Sequence, residues 1–387
     1  MSEFIQQLIN GIALGSIYGL IAVGYTIVYG ILGLINFAHG EIYMMGTFSA
    51  FLAVQFAKSK FGWEMGFFPA LLIGMLGAAV LGVAIERIAY RPLRAKSAVP
   101  AVMLGLIGGG AAFMLLGGIM GHAGVHFGNP LALFVSTSVS SSSAVEKVEG
   151  AQIPALVSLA VWAMLAFGVY RLSKEKLAQR KKLKAGTLTA LLTALGVSLL
   201  LQNLGIQMFG ATPKSFPPLV EFYPYEFGSI ILANQDMLIF GAMVVSMVVL
   251  QLIIYKTKIG KAMRAVAVDQ DAARLMGVRL DFTISCAFAI GSSLAAIAGV
   301  LYAIRYTKID PLMGALPGAK AFVAAVLGGI GNIPGAVVGG LIMGVTEALV
   351  VGYVSSTLRD AFAFGILILI LLVKPTGLMG SNQPEKV

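Results

Sequence analysis

The sequence predicts an all-α, polytopic integral membrane protein with about ten transmembrane helices, and three observations carry that prediction. Of 387 residues, 58% are hydrophobic, only 11% are charged, and glycine occurs 47 times. Mean hydropathy is +0.90. A soluble globular domain carries about 25% charged residues, so that class is excluded, along with disordered and collagen-like chains. Ten spans of roughly 20 residues would occupy about half of such a chain, and that much apolar sequence is present. Abundant glycine suits helices that approach closely in lipid, where small residues line the contacts.

Apolar segments run at 4–29, 40–57, 66–86, 99–121, 153–170, 187–209, 237–255, 282–304, 317–331, 334–351 and 357–373. The first has no Lys or Arg ahead of it and stays apolar too long for a cleaved signal peptide, so it is expected to remain as a membrane helix. Segment 317–331 is short and interrupted by Gly318, Gly328, Gly329 and Gly331, which leaves it either re-entrant or crossing. The count is therefore ten, with nine to eleven admitted. A single cysteine, Cys286, excludes an intrachain disulfide and a Cys-based zinc or iron–sulfur site.

The net charge of +10 resembles a nucleic-acid signal until it is located. Most of the 27 Lys and Arg residues fall in three blocks, at 87–96, 171–184 and 256–279, with Lys374 and Lys386 near the C-terminus. Under the positive-inside rule these faces are cytoplasmic. Threading the spans through them puts the N-terminus outside and the C-terminus in the cytoplasm, which requires an odd number of crossings. Eleven results if 317–331 crosses, and nine if 317–351 forms a re-entrant hairpin plus one helix. No nucleic-acid partner is implied. Among the opposite loops, 136–143 is a serine-rich linker, and 211–228, with Pro213, Pro217, Pro218 and Pro224, is expected to be an ordered extended cap. The tail at 381–387 is expected to be disordered.

No phosphate-binding Gly-x-x-x-x-Gly-Lys-Ser/Thr occurs, since Gly260-Lys261-Ala262 has neither the upstream glycine nor the hydroxyl. His39, His122 and His126 are too few and scattered for a metal site, and no Gly-x-Ser-x-Gly elbow is visible. The expectation is a chain with no catalytic residues, no metal and no cofactor of its own.

The basic stretch 256–279 is the most informative. Ala262, Val266, Ala273 and Met276 keep helical spacing around Asp269, and Gly277 stands where a C-terminal cap is expected. One reading is an amphipathic helix on the headgroups, with its arginines near anionic lipid. The other is a helix docking into a groove on a soluble partner. Ala262, Ala265, Ala267, Ala272 and Ala273 favour docking, because a lipid anchor would prefer Trp, Phe or Leu.

Gly260-x-Ala262-Met263-Arg264-Ala265, followed by Ala272 and Met276-Gly277, resembles the coupling region of permease subunits in branched-chain amino acid ABC transporters. Ile35-Asn36-Phe37-Ala38-His39-Gly40-Glu41 with Met44-Met45-Gly46 resembles the early motif of the LivH-type permease rather than its LivM-type sister. Gly318-x-Lys320-Ala321-Phe322 through Gly328-Gly329-Ile330-Gly331-Asn332-Ile333-Pro334-Gly335-Ala336 to Gly344-x-x-Glu347 resembles the late glycine-rich motif. Thr193-Ala194-Leu195-Gly196-Val197-Ser198 with Gln202-Asn203 matches a fourth. The resemblance covers about 1–97 and 187–380. It implies an N-terminal transmembrane part at 1–97 and a C-terminal part at 187–380 carrying a coupling helix at about 257–277. The stretch 98–186 is then an insertion with two extra apolar segments, because the family passes directly from the Arg-Pro-Leu-Arg loop to the next span.

The resemblance further implies a multi-pass subunit of the cytoplasmic membrane, paired with a homologous permease or with itself. Two separate ATPase subunits would bind ATP and Mg²⁺, and an extracytoplasmic binding protein would deliver the amino acid. It assigns ATPase coupling to Gly260, Ala262, Met263, Arg264, Ala265, Asp269, Ala272, Met276 and Gly277. For the substrate path or its gating, the candidates are Asn36, His39, Glu41, Gly328, Gly329 and Glu347. Asn36, His39 and Glu41 lie at a break between spans, where backbone dipoles can meet a zwitterion; alternatively Asn36 caps a helix while His39 and Glu41 sit at headgroup level. Glu347 lies in an apolar span, where an ionised group costs roughly 2.5–3.5 kcal/mol, so it is expected to be paired, with Lys320 the candidate partner. That pair serves either transport or the structure of the glycine-rich hairpin. Gly328 and Gly329 mark either a broken helix or simple close packing. Related cargo (urea, short amides, other amino acids) fits the same family. An ion-driven secondary transporter would want paired intramembrane acids, of which only Glu347 is well placed.

Overall fold

The computed structural model describes residues 2–91, 125–127, 151–153, 187–374 and 376–380. Two compact units are separable, Met1–Arg87 with Ala211–Val387, and Ile88–Gly210. Within the second, strands β1 (Val125–Phe127) and β2 (Ala151–Ile153) pair in parallel, and helix α4 covers Thr187–Phe209, the bounds the apolar pattern predicts. Apart from those strands, the expected insertion at 98–186, with its apolar segments, serine linker and basic block, lies outside the described residues, as does the tail at 381–387.

The first unit is built on α1 (Ser2–Leu32), an apolar helix buried along most of its length. Gly33 ends it in the left-handed region (φ +65), its N–H reaching the Tyr29 carbonyl at 2.7 Å. The chain then folds back: the Asn36 side-chain oxygen accepts from the Ala38 N–H at 3.1 Å, the Asn36 carbonyl accepts from the His39 N–H at 3.0 Å, and α2 (His39–Phe61) begins. Helix α3 (Phe67–Ile85) continues into a π-helical turn, Glu86–Tyr90. After the expected cap region come α5 (Asn234–Lys256), the short α6 (Lys258–Val268) and α7 (Gln270–Leu275), and the long α8 (Leu280–Tyr306). Helices α9 (Ala315–Gly328), α10 (Ile333–Tyr353) and α11 (Arg359–Val373) complete the set. Among the described residues, six helices are long and apolar enough to cross a bilayer: α1, α3 with its π turn, α4 from Leu191, α5, α8 and α10.

Two helices, α8 and α1, organise the core. Helix α8 packs on α1, α2 and α3, and α1 packs on α10. The α1–α10 contact is backbone on backbone: a Cβ on Gly11 would stand 2.6 Å from Val345 Cα, and one on Gly15 would stand 2.8 Å from the Gly340 carbonyl oxygen. Glycine at every fourth position lets the axes approach this closely.

The cap at 211–228 is more structured than an extended loop. Strands β4 (Pro224–Phe227) and β5 (Ile230–Ala233) form an antiparallel hairpin turning at Gly228 (φ +66). Strand β3 (Lys214–Ser215) pairs with β6 (Lys308–Ile309), just beyond α8. Asp236 and Arg305 join the start of α5 to the end of α8 by an ion pair of 2.5 Å.

Helix α9 runs unbroken through Gly318 and stops at Gly329 (φ +105) and Gly331 (φ +93). At 14 residues it is about 21 Å long, short of a hydrocarbon core of about 30 Å. Its last carbonyls are taken by the C-terminal segment: the N–H groups of Leu378 and Met379 donate to Leu327 and Gly328 at 2.8 and 3.0 Å. Asn332 then caps α10 by accepting from the Gly335 N–H at 3.1 Å, and its amide donates to the Met379 carbonyl at 2.8 Å.

Candidate functional site

The stretch expected to form one coupling helix is two. Thr257 starts α6, its hydroxyl oxygen accepting from the Gly260 N–H at 3.1 Å. Asp269 is extended (φ −156), and its carboxylate accepts from the N–H groups of Asp271 and Ala272 at 2.9 and 3.0 Å. It is thus the N-terminal cap of α7 rather than a polar position within one helix, because a carboxylate there satisfies two otherwise unpaired donors. Gly277 (φ +83) closes α7 as expected, with the Val278 N–H reaching back to Ala273 at 3.0 Å.

Of the coupling candidates, Gly260 and Met263 are buried, and Gly260 lies against the Ile253 and Ile254 carbonyls, where no Cβ fits. Ala262 is half-buried; Arg264, Ala265, Asp269, Ala272, Met276 and Gly277 are exposed. Arg264 stacks on the Tyr255 ring at 5.2 Å. Met276 shares the helical spacing of Val266 and Ala273, yet those two are buried while it projects outward at 84% exposure beside Leu275 at 89%. The break at Asp269 resets the helical phase, which accounts for the separation. One residue outside the predicted set links this unit to the core: the Gln270 amide donates to the Ile31 carbonyl, in the last turn of α1, at 3.3 Å.

Asn36, His39 and Glu41 are buried within the protein. Asn36 does not cap α2, since its oxygen closes the turn on Ala38. The fold-back of 33–38 carries His39 in along α1. His39 lies against Gly24, about two turns or roughly 12 Å before the end of α1. Its ring packs at a tilt of 60° against Tyr25, with centroids 4.7 Å apart. The start of α2 meets the start of α9 there, Gly40 against Gly314 and Gly318. Tyr25, Thr26, Tyr29, Ile35, Phe322 and Ile330 line a small apolar cleft of about 10 Å³.

Glu347 and Lys320 form the expected pair at 2.9 Å, each side chain only 2% exposed. Three further residues complete the cluster, and none was predicted. The Tyr18 hydroxyl donates to Glu347 Oε2 at 3.0 Å. Arg359 Nε stands 3.0 Å from Glu347 Oε1, and Asp360 Oδ1 stands 2.7 Å from Lys320 Nζ. Gly328 and Gly329 are not part of this cluster. Gly328 packs on the Gly335 backbone, and Gly329 lies under the C-terminal segment. Among the described residues no three His, Cys, Asp or Glu side chains gather where a metal would sit.

The family model described as branched-chain amino acid transport system / permease component matches residues 7–177 and 149–371. The high-affinity branched-chain amino acid transport system permease protein BraD of Pseudomonas aeruginosa is 33% identical over 394 residues, covering 100% of this chain and 98% of the relative. The corresponding permease protein LivH of Escherichia coli K12 is 34% identical over 395 residues, 99% and 98% of the two chains. The xylose transport system permease protein XylH of Escherichia coli K12 is 33% identical over 94 residues, 23% of this chain and 24% of the relative. No solved structure matches the chain significantly.

Proposed function

Since the chain belongs to the family of permease components of branched-chain amino acid transport systems, we propose that it is the membrane-spanning permease subunit of an ATP-driven importer. Its cargo is branched-chain or closely related amino acids, and its place is the cytoplasmic membrane. The loops at 87–96 and 256–279 and the C-terminus face the cytoplasm, the cap at 211–233 faces the delivery side, and the number of crossings is odd. ATP and Mg²⁺ belong to two separate ATPase subunits, so the chain itself does no catalysis. A second permease, homologous or identical, completes the path, and a binding protein brings the solute.

The observation that carries this reading is the α6–α7 unit. It sits between two apolar helices, is fixed inward by Met263, Val266 and Ala273, and turns Leu275 and Met276 out to solvent. Exposed Ala265, Ala267 and Ala272 let a partner protein approach closely, and the large apolar side chains of Leu275 and Met276 stand out from this small-residue surface. Through Gln270 a displacement of this unit reaches α1 directly. The short match to a xylose permease supports a shared scaffold whose cargo is set in part elsewhere.

The test is uptake into proteoliposomes holding this chain with its partner permease, ATPases and binding protein. Leucine accumulation that needs both ATP and binding protein is the expected result. Accumulation that ignores ATP and collapses with the proton gradient would overturn the assignment.

A further inference from the structure

Glu347, Lys320, Asp360 and Arg359 form a closed ring of four charges of alternating sign. Around it run Asp360–Lys320 at 2.7 Å, Lys320–Glu347 at 2.9 Å, Glu347–Arg359 at 3.0 Å and Arg359–Asp360 at 3.5 Å. Three edges are tight. The fourth is the longest and joins the two side chains that are not buried, Arg359 at 45% and Asp360 at 43% exposure. Ions withdrawn from water are tolerated when paired and hydrogen-bonded, and the floor of the ring meets that condition, with Tyr18 holding the second oxygen of Glu347. The rim has a charged partner on one side and an open approach on the other.

We propose that this ring is a binding station for the α-ammonium and α-carboxylate of a zwitterionic amino acid, which enters at the Arg359–Asp360 edge. The ligand's carboxylate takes Arg359 and its ammonium takes Asp360, so a ring of four alternating charges becomes a ring of six. Net charge stays at zero, and every ion keeps an opposite neighbour on each side. A lone anion or cation breaks that alternation and leaves one charge uncompensated in a poorly solvated place, which is costly. A neutral amide or urea offers only dipoles, and hydrogen bonds between neutral and charged groups are weaker than those between two ions. Leu358 and Phe362, one turn apart at the start of α11, expose apolar surface next to Arg359 for an aliphatic side chain. This inference rests on the importer reading, and it adds a place and a charge rule that the family membership does not supply.

The test uses the assembled transporter without its binding protein and reads saturation-transfer NMR from the complex to three ligands. These are leucine, leucinamide (ammonium only) and 4-methylpentanoate (carboxylate only). In the unaltered complex leucine is expected to give a signal about ten-fold above the other two, the scale of one lost hydrogen bond to a charged group. Arg359→Gln should lower leucine while raising leucinamide relative to it. Asp360→Asn should lower leucine while raising 4-methylpentanoate relative to it. A purely structural ring would scale all three ligands together in both variants, and that result overturns the proposal. So does a leucine signal no greater than the others, or none at all. ATP-dependent uptake by the unaltered complex would persist in each of those cases, so the station can fail while the importer reading stands.

Discussion

The side-chain amide of Gln270 donates to the backbone carbonyl of Ile31 at 3.3 Å, and so ties the first residue of α7 to the last turn of α1. That carbonyl is among the last four of its helix, which have no partner inside it. The link therefore satisfies an otherwise open acceptor and joins the proposed ATPase contact to the helix that also carries Tyr18 and Tyr25. Replacing Gln270 by Ala removes the link and leaves the outward Leu275 and Met276 in place. Uptake is expected to fall about ten-fold, the effect of losing roughly 1.4 kcal/mol of coupling, while ATP hydrolysis by the complex holds. Parallel assays of solute accumulation and phosphate release check this; a proportional loss of both would show that Gln270 serves docking rather than coupling.

Lys320 has both of its carboxylate partners within 3 Å, at Glu347 and Asp360. Lys320→Met removes the fully buried cation of the ring and leaves Glu347 and Asp360 to Arg359 alone. Breaking a buried ion pair by deleting one partner costs about 3–5 kcal/mol, so the purified complex should unfold at a clearly lower temperature. Glu347→Gln is milder, because the amide keeps the shape and Asp360 still pairs Lys320. It should assemble normally and lose uptake; unchanged uptake would remove Glu347 from the transport path.

Gly344 and Gly241 should respond to the same substitution with opposite outcomes. A Cβ on Gly344 falls on the Gly15 backbone, whereas one on Gly241 meets nothing within 4 Å. Gly344→Ala therefore forces α1 and α10 apart, at a cost of about 1–3 kcal/mol for overpacking. Gly241→Ala should be neutral or stabilise α5 by up to about 1 kcal/mol through helix propensity. Thermal unfolding of the two variants side by side decides the matter.

Asp269→Ala removes both side-chain caps of α7. A lost N-cap costs about 1 kcal/mol, and α7 is only six residues long. Amide hydrogen exchange over 270–276 should quicken about five-fold, while exchange in α6 stays as it was, because Thr257 caps that helix independently.

The apolar pattern located the helices well, since a span announces itself by composition alone. Segment 237–255 became Asn234–Lys256, and 282–304 became Leu280–Tyr306. Depth is a different matter. Hydropathy reports how apolar a window is and not how the chain turns at its ends, so no spacing showed that the fold-back at 33–38 carries His39 in beside Gly24. The Lys320–Glu347 pair was legible because an unpaired carboxylate in an apolar span is too costly to leave alone. Arg359 and Asp360 were not, because only the turn after α10 brings Arg359 to Glu347 and Asp360 to Lys320, and that turn leaves no mark in residue spacing. Two features were readable and missed. Asp269 ahead of a helical run is a helix-start signal, and Phe227-Gly228-Ser229-Ile230 between apolar runs is a hairpin signal.

The glycine contact between α1 and α10 has a mechanical consequence. With Gly11, Gly15, Gly340 and Gly344 touching through their backbones, no layer of side chains exists that could yield to a small slide. A displacement of one or two residues sets Cβ atoms against main chain, and only a shift of about four residues, one full turn of 5.4 Å, restores glycine opposite glycine. Below that step the two helices act as a stiff strut, and the hinges of the transport cycle lie in the parts around it: the fold-back at 33–38, the short α9, and the turn that swings Arg359 and Asp360 onto their buried partners.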